Sequence, residues 1–139
     1  MSEIIKEPIS GAMIDLFAGA GGLSCGLEQA GFHPVLANEM VEQFANTYKV
    51  NHPTTRVVVG DVRNVDEKEL HSLVAEHSRI DLIAGGPPCQ GFSVNAPIRS
   101  LDDPRNHLFE EYLRIVDEIR PKAVLIENVP GSVSLGKGT

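Results

Sequence analysis

Short apolar runs alternate with stretches of helical period along the whole chain, and this alternation limits the available folds more than any other feature. The runs lie near 12–17, 34–38, 56–59, 80–84 and 122–126. Each is rich in Val, Ile or Leu, and several lack the polar alternation of a half-exposed strand, so they read as strands buried on both faces. Between them, Leu23, Leu27 and Ala30 recur at helical spacing, as do Val41, Phe44, Ala45 and Tyr48, then Leu70, Leu73, Val74 and His77. The third helix opens with Asp66 and Glu69 in capping-box spacing. A fourth follows the start signal Asp103-Pro104 and carries Leu108, Phe109, Tyr112, Leu113, Val116 and Ile119. Strands and helices in this order predict an α/β domain with a doubly wound, mostly parallel sheet and right-handed crossovers.

A chain of 139 residues, 42% of them hydrophobic, supplies one core rather than two. No apolar stretch approaches the roughly 20 residues of a membrane span. Glu3, Lys6 and Glu7 break the segment that a signal peptide would keep apolar, so a cytoplasmic protein without a membrane partner is expected. The two cysteines, Cys25 and Cys89, are far apart and show no metal-ligand spacing. Free thiols are expected, with neither a disulfide framework nor a metal site. A net charge of −7 argues against a broad phosphate-binding surface.

The turn after the first strand reads Asp15-Leu16-Phe17-Ala18-Gly19-Ala20-Gly21-Gly22. Its glycines let the backbone approach a ligand at the start of the first helix. Glu39 ends the second strand, where a carboxylate can accept both ribose hydroxyls of a nucleoside, and Asp61 ends the third, within reach of an adenine amino group. The plainer roles for these acids are a cap on the second helix for Glu39 and a turn for Asp61. No Gly-Lys-Ser/Thr follows the glycines, and the first helix has no Lys or Arg, so a phosphate-cradling loop is excluded. An adenosyl ligand without phosphates fits better.

The long aperiodic connection from Gly85 to about Pro104 holds Pro87-Pro88-Cys89-Gln90-Gly91-Phe92 where a buried strand breaks into a loop. A thiol attacks as thiolate, and at an unperturbed pKa of about 8.5 it needs a cationic neighbour or a helix N-terminus. Nothing basic lies near Cys89 in sequence before Arg99, so activation must come from the fold or the substrate. Glu127, directly after the apolar run Ala123 to Ile126, is the second chemical candidate. Partial burial there would favour a protonated carboxyl able to donate to a ring nitrogen.

Taken in order, Asp15 to Gly22, Glu39, Gly60-Asp61, Gly86-Pro87-Pro88-Cys89-Gln90-Gly91-Phe92-Ser93, Arg105 with Leu108, and Glu127-Asn128-Val129 resemble the amino-terminal part of a cytosine-5 DNA methyltransferase. The resemblance covers nearly the whole chain. It implies the Rossmann-like fold of S-adenosylmethionine-dependent methyltransferases, here incomplete. It also implies that S-adenosylmethionine meets Phe17, Ala18, Gly19, Gly21, Gly22, Leu23, Met40, Val62 and Pro87, with Glu39 on the ribose and Asp61 on the adenine. Cys89 would attack C6 of a cytosine turned out of double-stranded DNA, while Glu127 supports charge at N3 and C5 takes the methyl group. Gln90 and Ser93 would support the loop in its closed state.

The same resemblance implies that residues 1–10 are an extension, that residues 11–139 are a partial catalytic domain, and that the target-recognition domain is missing. The family's basic motif and its last motif, which completes the cofactor pocket, are missing too. A second polypeptide would carry them, or the chain is a truncated piece. The alternatives are a noncatalytic cofactor- or partner-binding fragment, a tRNA cytosine-5 methyltransferase and, more distantly, a nicotinamide enzyme. Plain roles are expected elsewhere: Cys25 packing as a small residue, Phe44 and Tyr48 in the core, and His33, His52, His71, His77 and His107 solvated or capping.

Overall fold

The structure, a computed structural model, describes residues 10–88 and 107–128. The order is β1 (Gly11–Leu16), α1 (Gly22–Gln29), β2 (Phe32–Glu39), α2 (Glu42–Asn51), β3 (Arg56–Val59), a 3-10 turn (Val62–Asn64), α3 (Glu67–His77), β4 (Leu82–Gly85), α4 (His107–Ile119) and β5 (Ala123–Ile126). The five strands form one parallel sheet in the order β3-β2-β1-β4-β5, the doubly wound architecture that the alternation predicts. Having built β2 and β3 on one side of β1, the chain returns to place β4 on the other. The carboxyl ends of β1 and β4 therefore flank the switch point where open α/β sheets hold ligands.

Successive β1 side chains enter opposite layers, as the two-residue period of a strand requires. Ile14 and Leu16 join Leu36 and Ile83 under α3 and α4, with Leu70, Leu73, Tyr112, Ile115 and Ile119. Met13 packs with Leu82 and Ala84 under Leu23 and Leu27 of α1. Ala18, Ala37 and Tyr48 make a third cluster beneath α2. The β1–β2 register shifts between Met13 and Ile14, opposite Pro34. A proline offers no N–H to the ladder, and Thr55 Oγ1 donates to the Pro34 carbonyl at 2.8 Å.

Several expectations need correction. Not every strand is buried on both faces: Val124 and Ile126 of β5 are about two-fifths exposed, and Val59 of β3 likewise. Both are outer strands of the described sheet, each flanked on one side only. Phe44 is half exposed, and of the α2 series only Ala45 and Tyr48 are buried, because α2 turns its Val41 and Phe44 side outward. Cys25 is exposed and its neighbour Ser24 takes the buried place. Asp66 caps α3 by accepting from the Lys68 amide, but Glu69 pairs with Arg56 at 2.5 Å rather than closing a capping box. The Asp103-Pro104 start signal lies outside the described residues.

Tyr112, fully buried, aims its hydroxyl at the carbonyls of Ile83 and Leu125, each at 3.0 Å, and so joins β4 to β5 from below. Tyr112→Phe keeps the ring and leaves those carbonyls without this donor, so it should cost about 1–2 kcal/mol of stability. Urea unfolding measures this, and an unchanged midpoint would show that the hydroxyl contributes nothing to the pairing.

Candidate cofactor and catalytic site

β1 ends because Phe17 adopts φ 57°, a left-handed conformation that leaves the strand, and the turn continues through Gly19 at φ 56°. A Cβ on Gly19 would meet nothing within 4 Å, so the glycine serves the backbone conformation rather than a tight contact. The turn is held from β2: the Ala18 amide donates to the Asn38 carbonyl at 3.0 Å, and the Gly19 amide donates to Glu39 Oε2 at 2.8 Å. Glu39 Oε1 accepts from the Val41 amide at 2.8 Å, but Val41 itself is the N-cap of α2 and the helix has no side-chain cap bond, so the plain capping role expected of Glu39 is not the one it fills. A carboxylate offers about four lone-pair sites. Glu39 can hold the Gly19 and Val41 amides and still accept hydroxyls from a ligand.

Asn38, which the sequence reading passed over, ties β2 to the next strand end. Its Nδ2 donates to the carbonyls of Val58 at 3.1 Å and Gly60 at 3.0 Å. Gly60 takes φ 125°, and Asp61 follows with Oδ1 accepting from the Arg63 amide at 2.9 Å. Asp61 thus fills its turn role while its side chain stays beside the ends of β2 and β3. No sequence signal marks Asn38, because the two bonds that its amide donates exist only once β2 and β3 pair, and the residue carries no charge.

Phe17, Glu39, Met40, Asp61 and Val62 line one cavity of about 230 Å³, together with Asn38, Gly86, Pro88 and Leu108. Among the described residues, its walls combine apolar side chains with two carboxylates and carry no cation. Such a lining suits a flat, partly apolar ligand bearing hydroxyl or amino donors. Ala18, Gly19, Gly21, Gly22 and Leu23 are not among the lining residues, and Pro87 is buried between Gly86 and Pro88, which are.

On the far side of the switch point, β4 closes onto β1 through Gly85. A Cβ there would stand 2.3 Å from the Leu16 carbonyl oxygen, so only glycine admits the approach. The Glu127 amide donates to the Gly85 carbonyl at 2.9 Å, and Glu127 Oε2 lies 3.1 Å from where a Gly86 Cβ would be. This sets the acid against the backbone that leads through Pro87 and Pro88 toward Cys89. Glu127 is exposed, not partly buried as expected, because β5 has only β4 beside it in the described sheet. Cys89, Gln90, Ser93 and Arg105 lie outside the described residues.

Asp15 is a perturbed acid at this end of the sheet. It is buried with Ser24 Oγ donating to Oδ2 at 2.5 Å, while Oδ1 is buried without a partner. Burial pushes its pKa up from 3.8 to about 6, against the lowering effect of the Ser24 hydrogen bond. Between about pH 4 and 6 the folded chain therefore binds more protons at Asp15 than the unfolded chain does, and this group's contribution to stability falls as pH rises. Relative to wild type, Asp15→Asn should gain on the order of 3 kcal/mol on passing from pH 4 to pH 7. Urea midpoints across that range test this, and a constant difference would place the buried charge elsewhere.

A family model described as C-5 cytosine-specific DNA methylase matches residues 11–139. Type II methyltransferase M1.HphI of Haemophilus parahaemolyticus is 43% identical over 131 residues, which are 93% of this chain and 35% of that one. Type II methyltransferase M.AquIA of Picosynechococcus sp. is 40% identical over 127 residues, 91% of this chain and 51% of that one. Among solved structures, a DNA modification methyltransferase encoded within a prophage of E. coli aligns with a TM-score of 0.75 at 39% identity, covering 92% of this chain and 34% of that one. The chain spans between about a third and a half of the length of these proteins.

Proposed function

Because the chain belongs to the C-5 cytosine-specific DNA methylase family, we propose that it forms the cofactor-binding and nucleophile-bearing part of an enzyme that methylates C5 of cytosine in double-stranded DNA. The observation that carries this reading is the stand of Glu127 against Gly86, at the start of the Pro-Pro-Cys segment and beside a cavity suited to adenosine. S-adenosylmethionine supplies the methyl group as an electrophile. Phe17, Met40, Val62 and Leu108 offer it apolar walls, Glu39 accepts from the ribose hydroxyls, and Asp61 accepts from the adenine amino group. The cationic sulfonium is compatible with a cavity whose charged walls are both acidic.

Cys89 is the nucleophile of the proposed reaction. Its thiolate would add to C6 of a flipped cytosine, C5 would take the methyl group with S-adenosylhomocysteine as the leaving group, water would accept the C5 proton, and the thiolate would leave as the 5,6 double bond re-forms. Glu127 stabilises the base through N3 during the addition. A flipped base is required because stacked neighbours block the face above C6, and unstacking costs a few kcal/mol.

Residues 11–139 are then a partial catalytic domain, and the target-recognition part is supplied by further polypeptide. The exposed Val124 and Ile126 on β5, with the exposed Leu113 of α4, give such a polypeptide an apolar surface to cover.

Reconstitution tests the reading. The 139-residue chain alone should methylate nothing measurable, and adding a polypeptide with the remaining family motifs should restore activity and raise the melting temperature together. In that assembly Cys89→Ser should abolish transfer and leave cofactor binding in place, whereas turnover above a few per cent would reject Cys89 as the nucleophile.

The division of roles has its own test. Glu39→Ala and Asp61→Ala should each weaken S-adenosylmethionine by roughly 1–3 kcal/mol, since each removes an acceptor from a donor that has left water. Glu127→Gln should slow methyl transfer with cofactor affinity little changed. Equal loss of affinity in all three, read by calorimetry, would overturn the assignment.

A further inference from the structure

Two side chains of α2 reach the underside of the cofactor turn, and neither takes part in the chemistry above. His52 sits at the C-cap of α2, but its ring is 3% exposed rather than solvated. Its Nε2 lies 3.2 Å from the Gly21 carbonyl. A carbonyl oxygen only accepts, so Nε2 carries the hydrogen. Gly21 is the N-cap of α1 and has φ 96°. A Cβ on it would stand 2.5 Å from His52 Nε2, so the glycine is demanded twice, by its backbone and by this ring. The same Gly21 carbonyl accepts the Cys25 amide at 2.9 Å, the bond that opens α1. Glu28 Oε2 lies 3.0 Å from His52 Nδ1, at ion-pair distance but without hydrogen-bond alignment.

One helical turn earlier, Tyr48 meets α1 from the same face, its ring centroid 4.4 Å from that of His52. Its hydroxyl lies 2.6 Å from Ser24 Oγ, and Ser24 Oγ donates to Asp15 Oδ2. Because the Ser24 hydrogen is committed to Asp15, Tyr48 is the donor to Ser24. Burial holds the Tyr48 hydroxyl well above its ordinary pKa, so it keeps that hydrogen. The turn from Phe17 to Gly21 is thus held from two directions: from β2 by Asn38 and Glu39, and from α2 by Tyr48 and His52.

We propose that His52 and Tyr48 are positioning residues for the cofactor, which hold the amino end of α1 and the turn before it in the shape the adenosyl ligand meets. The inference rests on the cofactor reading above. Neither residue touches the cavity, so each acts through the backbone of Gly21 and the side chain of Ser24. A turn with left-handed residues at Phe17, Gly19 and Gly21 is costly to hold, and contacts made before the ligand arrives spare the binding step that ordering.

The test uses two measurements, calorimetric titration with S-adenosylmethionine of the chain assembled with a polypeptide that carries the remaining family motifs, and amide exchange at Gly19 and Gly21 of the 139-residue chain without ligand. His52→Phe keeps a buried ring and loses the N–H, so it should weaken the cofactor about fivefold and speed exchange by a similar factor. His52→Gln restores an N–H donor and should stay within about twofold of wild type in both, even where its melting temperature falls as far. Tyr48→Phe, which removes one oxygen and preserves the fold, should shift both measurements in the direction of His52→Phe. Unchanged exchange and affinity in His52→Phe and Tyr48→Phe would overturn the proposal, as would a His52→Gln loss equal to that of His52→Phe. A wild-type assembly that gives no binding heat, with exchange responding as described, would reject the cofactor reading and leave the positioning role standing.

Discussion

The contact between β1 and β4 at their carboxyl ends is the constraint on which the remaining geometry depends. Gly85 brings its backbone so near the Leu16 carbonyl that no side chain could stand between them. That closeness sets the loop after β1 and the loop after β4 side by side at the one place where the strand order reverses. It also fixes β5, whose Glu127 amide takes the Gly85 carbonyl, and through β5 the acid that stands against Gly86. A larger residue at Gly85 would part the two halves of the site at once.

From there, the economy of the site lies in carboxylates that serve both structure and ligand. Glu39 holds the Gly19 and Val41 amides, and Asp61 holds the Arg63 amide, while both still line the cavity. Holding backbone amides and binding a cofactor first look like competing explanations of the same acids. They are compatible because a carboxylate accepts from several donors at once, and a carboxylate already tied to backbone N–H groups is held in one orientation before any ligand arrives.

Beneath the cavity lies a different kind of interaction. Asp15, Ser24 and Tyr48 form a buried polar chain, with Asp15 Oδ1 lacking a partner in a layer otherwise filled by Met13, Ala37 and the apolar side of α1. Burial of that acid is unfavourable at neutral pH, as its raised pKa records. The network spans β1, α1 and α2, the three elements that shape the cofactor turn. Its cost falls where a defined backbone has the most use.

Much of this protein was legible along the chain because the signals are local. A strand buried between helix layers must be an apolar run, so all five strands could be placed, with edges that moved by only a residue or two. Glu39 and Asp61 announce themselves because a charged residue ending an apolar run has few structural uses. The tertiary structure decided what depends on neighbours distant in sequence. Asn38 matters through Gly60, Tyr48 through Ser24, and His52 through Gly21, and none of these pairs has a periodic or compositional mark. It also decided exposure: Phe44, Cys25 and Glu127 were placed on the wrong side of the surface, because periodicity shows which residues share a face but not what that face meets.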